Sequence, residues 1–273
     1  MEDKKGIFFY LFLTFFIMFC LLPIIWLLIT SLKPELEIAN IPPLLPRNMV
    51  FDHYPAVFHG RPFLKYLLNS FAVSGATTIF CLIVGSFAAY ALAKLNFRGK
   101  KFVLALVLMV SMFPQIAIVS PLYKIINTFG IRDTWISLIF PYTTFAMPLT
   151  IYVLNNFFKE IPDELGRSAR IDGCSPFQAF FKIILPLALP GMVTTGILVF
   201  IQAWNEFLFA LTFTATERAR TVPVGIALFP GLKDIPWGDI AAASIIVTVP
   251  IIILILIFQK QIVSGLTSGA VKG

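Results

Sequence analysis

GIFFYLFLTFFIMFCLLPIIWLLITSL, residues 6–32, is the stretch that decides the fold class of this chain. It contains no Asp, Glu, Lys or Arg. An α-helix rises about 1.5 Å per residue, so about 20 apolar residues cross the roughly 30 Å of hydrocarbon in a bilayer. The run is continuously apolar and lacks the period-two alternation of a barrel strand. It therefore predicts a transmembrane helix.

Five further stretches of similar length are also free of charged side chains. They cover residues 66–93, 102–123, 134–158, 183–205 and 240–259. Because backbone N–H and C=O groups need partners inside lipid, continuous apolar runs of this length favour helices. The sequence predicts an all-α integral membrane protein with six transmembrane helices in a single domain, 1–273. The expected spans are about 7–31, 67–93, 102–124, 135–158, 187–213 and 239–259.

The composition of the 273-residue chain excludes several classes of protein. The chain is 58% hydrophobic and 13% charged, with 29 Phe and a mean hydropathy of +0.89. Soluble domains carry about 25% charged residues. These values exclude a disordered chain, a nucleic-acid module and an ordinary cytosolic enzyme. The net charge of +7 comes from basic residues spread between the apolar runs, which is typical of a membrane protein.

Lys and Arg in the short loops predict the orientation. The loop between the second and third runs contains Lys94, Arg98, Lys100 and Lys101 and no acidic residue. The loops on that side are shorter and more densely basic than those on the other, so they are expected to be cytoplasmic, with both termini inside. The first run is too long for a signal peptide and has no small-residue cleavage site after it.

Candidate sites for metal, nucleotide or covalent chemistry are few. Cys20, Cys81 and Cys174 show no paired spacing, which argues against a disulfide framework or a metal cluster. His53 and His59 lie in the proline-rich external loop 33–65 without a third type of ligand, so solvated histidines are favoured over a metal site. No G-x-x-x-x-G-K-[ST] loop occurs. We expect no metal, no catalytic residue and no bound ATP on this chain.

The loop 159–186 contains two helix starts. Pro162 suits a first helical position, acidic residues follow it in the first turn, and Gly173 supplies a stop. Ser175 then begins a second short helix as N-cap, with Gln178 completing a capping box, and Pro186 is expected to interrupt the chain before the fifth span. Phe177, Phe180 and Phe181 are expected on the apolar side. The residues alone leave two interpretations open: a helix lying on the lipid headgroups, or a docking element for a cytoplasmic partner.

The same loop resembles the cytoplasmic loop of bacterial ABC importer permeases. The sequence PDELGRSARIDG at 162–173 is followed, after nine residues, by IILP at 183–186. The family pattern is Glu-Ala-Ala, three residues, Gly, nine residues, Ile-x-Leu-Pro, and the spacing here matches it throughout. Further matches are WNEF at 204–207, TVP at 221–223, Trp237-Gly238 and the ending GLTSGAVKG at 265–273. Together they resemble the second permease subunit of carbohydrate importers of the maltose type.

The resemblance implies a function and a set of partners. It implies an ATP-driven importer in the bacterial cytoplasmic membrane that takes a sugar or oligosaccharide from an external binding protein by alternating access. It implies a second related permease, an ATP-binding cassette dimer that holds ATP and Mg, the carbohydrate itself and membrane lipid as partners, and no nucleic acid. In the maltose type the other permease supplies most of the sugar contacts.

The resemblance also implies which residues couple to the ATPase. The expected coupling set in the cytoplasmic loop is Glu164, Arg167, Ser168, Ala169, Asp172, Gly173, Ile183, Leu185 and Pro186. The tail residues expected to reach the ATPase dimer are Gly265, Thr267, Gly269 and Lys272. Arg167 stands where the family has Glu, so either the ATPase presents a different group there or Glu164 substitutes for the missing acid.

Glu206 is an acidic residue with apolar sequence on both sides. An ionisable group at membrane depth is costly and indicates a function. Trp204, Asn205 and Glu206 are therefore candidates for the translocation pathway or a gate; a helix–helix contact is an alternative to direct sugar contact. The external segment 214–237 resembles the loop that enters the binding protein's sugar site, and an ordinary connection is its alternative.

Three rival functions are weaker on the residues. An ion-coupled carrier needs several ionisable groups in its spans, and Glu206 alone qualifies. An intramembrane enzyme needs a nucleophile and base or a metal cluster at depth, and neither His lies in a span. Composition does not exclude a channel, whereas the match to the coupling loop argues against one.

Overall fold

The computed structural model describes residues 6–39, 44–229 and 235–267, with only the backbone described at residue 39 and at 263–267. The first helices are α1 (Ile7–Ser31), α2 (Glu35–Ala39), α3 (His53–His59), α4 (Phe63–Lys94), α5 (Lys100–Ser111), α6 (Gln115–Thr128) and α7 (Trp135–Glu160). They are followed by α8 (Asp163–Ile171), α9 (Pro176–Ala179), a π-helical turn (Phe180–Ile184), α10 (Leu185–Leu187), α11 (Leu189–Trp204), α12 (Leu208–Phe213), α13 (Val222–Ala227) and α14 (Trp237–Thr267). The part of the chain that is described contains no β-strand.

The all-α membrane fold is confirmed. Among the described residues, α1, α4, α7 and α14 are each long and apolar enough to cross a bilayer. Two further pairs of helices pass the same test together but are sharply bent. The spans number six if each bent pair counts as one. Elements also extend past the expected limits, since α4 begins at Phe63, α14 begins at Trp237, and α2, α3 and α13 lie within the expected external loops.

The expected third span, 102–124, is not one straight helix. The helix α5 ends at Ser111, α6 begins after Pro114, and the two axes meet at 88°. Pro114 has no N–H for the α-helical ladder, and its ring disfavours helical geometry at the residue before it. Because of this break, α6, which begins at Gln115, runs in a different direction from α5.

The chain forms two compact units, and the larger one comprises Lys65–Val224 with Ile251–Gly273. Within it, α7 packs against α11 and α5. Glycines allow two of the close approaches: a Cβ at Gly191 would overlap the Phe157 ring, and one at Gly85 would overlap the Thr150 side chain. Small residues at helix contacts let backbones approach closely, which is how membrane helices gain packing energy in lipid.

The other unit comprises Met1–Leu64 with Gly225–Pro250. The only residue of α1 that is buried is Ser31, as expected for a helix that faces lipid or another subunit. His53 Nδ1 lies 2.8 Å from Asp239 Oδ1, and His53 Nε2 lies 2.9 Å from the Lys33 carbonyl oxygen. His53 is thus part of a buried hydrogen-bonded cluster, not a solvated loop histidine as the sequence suggested, because Gly238 leaves room for its ring.

Asp133 holds the segment that follows α12, which the sequence predicts to be external. It adopts a left-handed backbone conformation, with φ at 60°. Its Oδ1 accepts N–H hydrogen bonds from Ala215 at 2.9 Å and Thr216 at 3.1 Å, and its Oδ2 accepts one from the Thr216 hydroxyl. Partial burial opposes ionisation, but these hydrogen bonds and the nearby Arg218 outweigh it and lower the pKa of the Asp133 carboxyl.

Acidification is therefore expected to loosen this segment. A carboxyl whose pKa is lower in the folded state stabilises the protein above its unfolded pKa, and the contribution disappears as the pH falls through the folded pKa. Thermal unfolding of the purified protein in detergent should lose stability below about pH 4, and Asp133→Asn should flatten that dependence. The matched control is Asp52→Asn, because the Asp52 side chain is exposed and caps no helix. Equal slopes in the wild type and Asp133→Asn would contradict this assignment.

Candidate functional site

The segment from α8 to α10 consists of helices joined by one turn, and hydrogen bonds close both ends of that turn. Gly173 takes a φ of 88° after the last turn of α8. The Gly173 N–H donates to the Arg170 carbonyl at 3.2 Å, and the Cys174 N–H donates to the Ala169 carbonyl at 2.9 Å. These bonds satisfy carbonyls that a helix end otherwise leaves open, and the left-handed position suits glycine. The expected stop at Gly173 is where the sequence placed it.

The second helix begins with the expected capping box. The Gln178 N–H donates to Ser175 Oγ at 3.2 Å, and the Ser175 N–H donates to Gln178 Oε1 at 2.8 Å. Pro162 differs from expectation by one position: it precedes α8 as the N-cap, and Asp163 and Glu164 form the first turn.

The second helix is longer than the short helix expected, and Pro186 does not interrupt it. The chain continues through the π-helical turn and α10 to Leu187, where it bends by 74° into α11. The bend comes just before Pro190, which lies in the first turn of α11, where a missing N–H costs nothing. The segment from α8 to α10 therefore continues into α11 through one bend at Ala188.

Buried side chains fasten this element to the bundle. Ala169, Phe180 and Ile184 are almost fully buried. The Phe180 ring lies 4.9 Å from the Tyr90 ring and 6.2 Å from the Phe158 ring, between centroids. Burial of an aromatic side chain of this size stabilises by about 2 kcal/mol, so Phe180 anchors the segment to α4 and α7.

An ion pair adds a second attachment. Lys94, the last residue of α4, places its Nζ 2.6 Å from Asp163 Oδ1 and also donates to the Ile161 carbonyl oxygen. The hydrogen bond from Lys94 and its positive charge lower the pKa of the Asp163 carboxyl, which keeps the pair ionised at neutral pH. Sequence reasoning used Lys94 only for orientation, since nothing in the chain order shows that it meets Asp163.

The other expected coupling residues fall into two groups by exposure. Arg167 and Glu164 pair with each other on the exposed face of α8, with Nη2 and Oε1 2.9 Å apart. Arg167, which stands where the family has Glu, is thus paired with Glu164, the acid named above as one alternative substitute for it. Phe177 and Phe181 are exposed, so the aromatic face expected to be apolar is buried only at Phe180. The remaining expected residues are exposed at Ser168, Asp172, Gly173 and Pro186 and partly buried at Ile183 and Leu185.

The tail residues expected to contact the ATPase lie at or beyond the end of the described chain. Gly265 and Thr267 lie in the last turns of α14, where only the backbone is described, and Gly269 and Lys272 lie outside the described residues.

Glu206 occupies a break in the expected fifth span, 187–213. The break separates α11 from α12, and the Glu206 carboxylate accepts N–H bonds from Phe209 on Oε1 at 2.8 Å and from Ala210 on Oε2 at 3.1 Å. These are first-turn donors of α12 that have no partner within their own helix. Glu206 thus caps the start of α12.

Removing this carboxylate should destabilise the break. In Glu206→Leu the buried N–H groups of Phe209 and Ala210 lose their acceptors, at a cost of about 1–3 kcal/mol. Glu206→Gln keeps one amide oxygen as an acceptor and should lose less. Thermal unfolding of the purified protein would measure the difference, and a Leu variant as stable as the Gln variant would contradict the capping role.

A cavity of about 380 Å³ lies beside the break. Its polar lining consists of Gln115 from α6, Tyr142 from α7, Gln202 from α11, and Asn205 and Glu206 from the break. Phe145 and Phe207 supply aromatic surface. Trp204, expected with Asn205 and Glu206, does not line it: the Trp204 side chain is buried against Phe71 at 4.7 Å and Phe200 at 5.6 Å, between ring centroids.

Gln115, Tyr142 and Gln202 were missed by the sequence analysis. Amide side chains within apolar spans are a usable signal, because polar groups at membrane depth are rare and mark pathways. No group of three or more His, Cys, Asp or Glu side chains that could hold a metal ion is found in the part of the chain that is described.

Residues 81–268 match a protein family described as "Binding-protein-dependent transport system inner membrane component". This chain belongs to that family. It is 49% identical over 257 residues to the trehalose transport system permease protein SugB of Mycobacterium tuberculosis, covering 93% of each chain. It is 43% identical over 257 residues to the trehalose/maltose transport system permease protein MalG of Thermococcus litoralis, covering 93% of this chain and 92% of that one.

A solved structure has the same fold. It is a bacterial ABC transporter involved in the import of the acidic polysaccharide alginate, with a TM-score of 0.79 and 22% identity, covering 95% of this chain and 98% of that chain. The chain is therefore a multi-pass permease of the inner membrane, and the resemblance to maltose-type permeases is confirmed. A secondary carrier is not favoured.

Proposed function

We propose that this chain is the transmembrane subunit of an ATP-driven importer for a sugar or oligosaccharide. The proposal is supported by the helical segment from α8 through α10, which joins α11 by one bend and so links the surface expected to be cytoplasmic to the cavity lined by Gln202. The names of the relatives, which refer to trehalose and maltose, support a carbohydrate as the substrate.

The proposed mechanism is alternating access. An ATPase dimer docks on the exposed face of α8, where Glu164 and Arg167 form an ion pair, and moves the segment when it closes on ATP. A docked helix transmits rigid-body motion, whereas a flexible loop would absorb it. Because the segment is fastened by Phe180 and Lys94, its displacement passes to α4 and α11. This movement changes the side of the membrane to which the cavity is open.

The remaining parts of the machine lie on other chains. A second related permease completes the pathway, and a sugar-binding protein docks outside, where the segment 214–237 contacts it. ATP and Mg are held by the ATPase subunits, which perform the hydrolysis, so this chain has no catalytic residue and binds no cofactor. The termini are cytoplasmic, and the residues of the tail, including Gly265, Thr267, Gly269 and Lys272, contact the ATPase dimer.

The test is ATP hydrolysis and sugar uptake by the complete complex in proteoliposomes. It requires both permeases, the ATPase and the sugar-loaded binding protein. We expect the loaded binding protein to stimulate hydrolysis and to drive accumulation of labelled trehalose or maltose. Uptake that continues without the ATPase subunit would overturn the proposal in favour of a carrier. Glu206, whose two oxygens are both engaged by backbone N–H groups, is poorly placed for such an ion relay.

A further inference from the structure

The charge of the transported sugar is not decided by membership of the family. One relative is named for trehalose, a neutral disaccharide, and the solved structure of the same fold belongs to a transporter of an acidic polysaccharide. A permease that handles an acidic sugar has to accommodate negative charge in a low-dielectric pathway, which requires a cation or a full set of donors. The lining of the cavity beside Glu206 therefore carries information about the substrate.

The polar part of this lining suits hydroxyl groups. The amide side chains of Gln115 and Gln202 come from different helices and reach the same cavity. Both residues line the cavity, and within the ranges that the structure describes neither side-chain amide makes a hydrogen bond to another residue. An amide offers two donors and an acceptor, so a pair of them complements hydroxyls that both donate and accept.

The charged part of the lining opposes an anion. Glu206 is the only ionisable acid or base along the cavity apart from the Tyr142 phenol, as far as the described residues go. The Phe209 and Ala210 N–H groups each donate to one of its oxygens, so neither oxygen is free to bind a cation that would balance an anionic ligand. No Lys or Arg among the described residues faces it across the cavity. An acidic sugar would lose its hydration there and find no cation along the described lining to balance its charge.

The apolar part of the lining suits a sugar ring. Phe145 and Phe207 border the same space as the amides. Small-molecule sites combine apolar and aromatic surface with a few placed polar groups, and a volume of about 380 Å³ lies near the small end of their usual range. The cavity is thus of a size for one small ligand or a short portion of a longer one.

We infer that this cavity binds a neutral polyhydroxylated ligand and rejects an acidic one, with Gln115 and Gln202 as specificity-determining residues. The inference rests on the proposed function as a sugar importer and adds the charge class of the sugar. It also assigns ligand contacts to this chain, where the maltose-type resemblance implies that the second permease supplies most of them. Glu206 contributes by holding the break that positions the cavity wall.

The first measurement is direct ligand binding by the assembled importer in nanodiscs, without the binding protein, so that the binding protein cannot impose its own selectivity. Saturation-transfer NMR would compare trehalose and maltose with their 6-sulfate esters, which keep the same rings and add one negative charge. We expect the neutral sugars to bind roughly tenfold or more tightly than the esters. Equal binding, or tighter binding of the esters, would overturn the inference.

The second measurement changes the charge of the cavity lining by substitution. Gln202→Arg is expected to reverse the ranking, so that the sulfate esters bind more tightly than the parent sugars, and Gln202→Leu is expected to weaken the neutral sugars about tenfold. Asn48→Arg adds the same charge on an exposed external residue and should leave the ranking unchanged. Gln115→Leu repeats the test from α6 in case a Gln202 variant fails to assemble.

Failure of this inference is distinguishable from failure of the proposed function. If ATP-driven sugar uptake occurs but none of the Gln115 or Gln202 variants alters binding, the second permease occupies or replaces this cavity and the inference is wrong while the importer stands. If the complete complex accumulates neither neutral nor sulfated sugars, the proposed function is wrong.

Discussion

Gly173→Pro is expected to abolish the stimulation of ATP hydrolysis by the loaded binding protein, and sugar uptake with it. Gly173 has a φ of 88°, whereas proline is restricted to about −65°. Proline also lacks the N–H that bonds the Arg170 carbonyl. A misfit of about 3 kcal/mol or more lowers the population of the native turn about a hundredfold. The orientation of α8 relative to the helix that starts at Ser175 would then be lost.

The controls for this substitution separate backbone geometry from the side chain itself. A Cβ at Gly173 meets no atom within 4 Å, so size is not the constraint. Asparagine adopts the left-handed conformation more readily than other side chains, so Gly173→Asn should keep most of the activity. Uptake and hydrolysis in proteoliposomes would be compared after size-exclusion chromatography verifies assembly. An assembled Pro variant with near wild-type stimulation would show that the turn does not transmit the signal.

Lys94→Met is expected to uncouple transport from hydrolysis, with sugar taken up per ATP falling several-fold. Methionine keeps most of the buried stem of Lys94 but removes the Nζ that contacts Asp163 and the Ile161 carbonyl. The end of α4 would then no longer hold the start of α8, so closure of the ATPase would move the segment without moving α4. Hydrolysis itself should persist, because the docking face around Arg167 is unchanged.

The matched control is Arg98→Met, which removes a positive charge four residues further on, at an exposed position. Lys94→Arg retains a donor and should keep most of the coupling, whereas Lys94→Glu should be worse than Lys94→Met because it faces Asp163 with a like charge. Since the pKa of Asp163 is lowered, the pair stays ionised from neutral pH down to about pH 4. Coupling should not depend on this pair between pH 6 and 8, and a strong dependence there that disappears in Lys94→Met would contradict the assignment.

Much of the segment from α8 to α10 was predictable from the sequence, because the signals that form it are local. Ser175 and Gln178 form their capping box three residues apart, and Gly173 ends α8 through bonds to Ala169 and Arg170. Such interactions depend on backbone geometry within one or two turns, so residue type and spacing are sufficient to predict them. The bend at Ala188 was placed two residues early because Pro186 fits inside a helix once the turn before it is π-helical.

The cavity could not be derived in the same way. Gln115 reaches it only because the chain turns by 88° at Pro114, and a proline in a sequence indicates a break without giving its angle. Gln202 and Tyr142 are far apart in the chain and meet through the packing of α11 on α7, which depends on the contact between Gly191 and Phe157. Trp204, chosen for its neighbours in sequence, points away from the cavity and into the packing around Phe71.

The sequence by itself determined the all-α membrane fold, the family and the positions of α8 and α9. Charge-free runs predict membrane helices because of the hydrophobic effect and the backbone's need for hydrogen bonds in lipid. Both depend only on composition and length. The tertiary structure alone decided that Lys94 holds Asp163 and that two glutamines share one cavity. These are contacts between residues on different helices, and their existence depends on crossing angles and close approaches that packing sets.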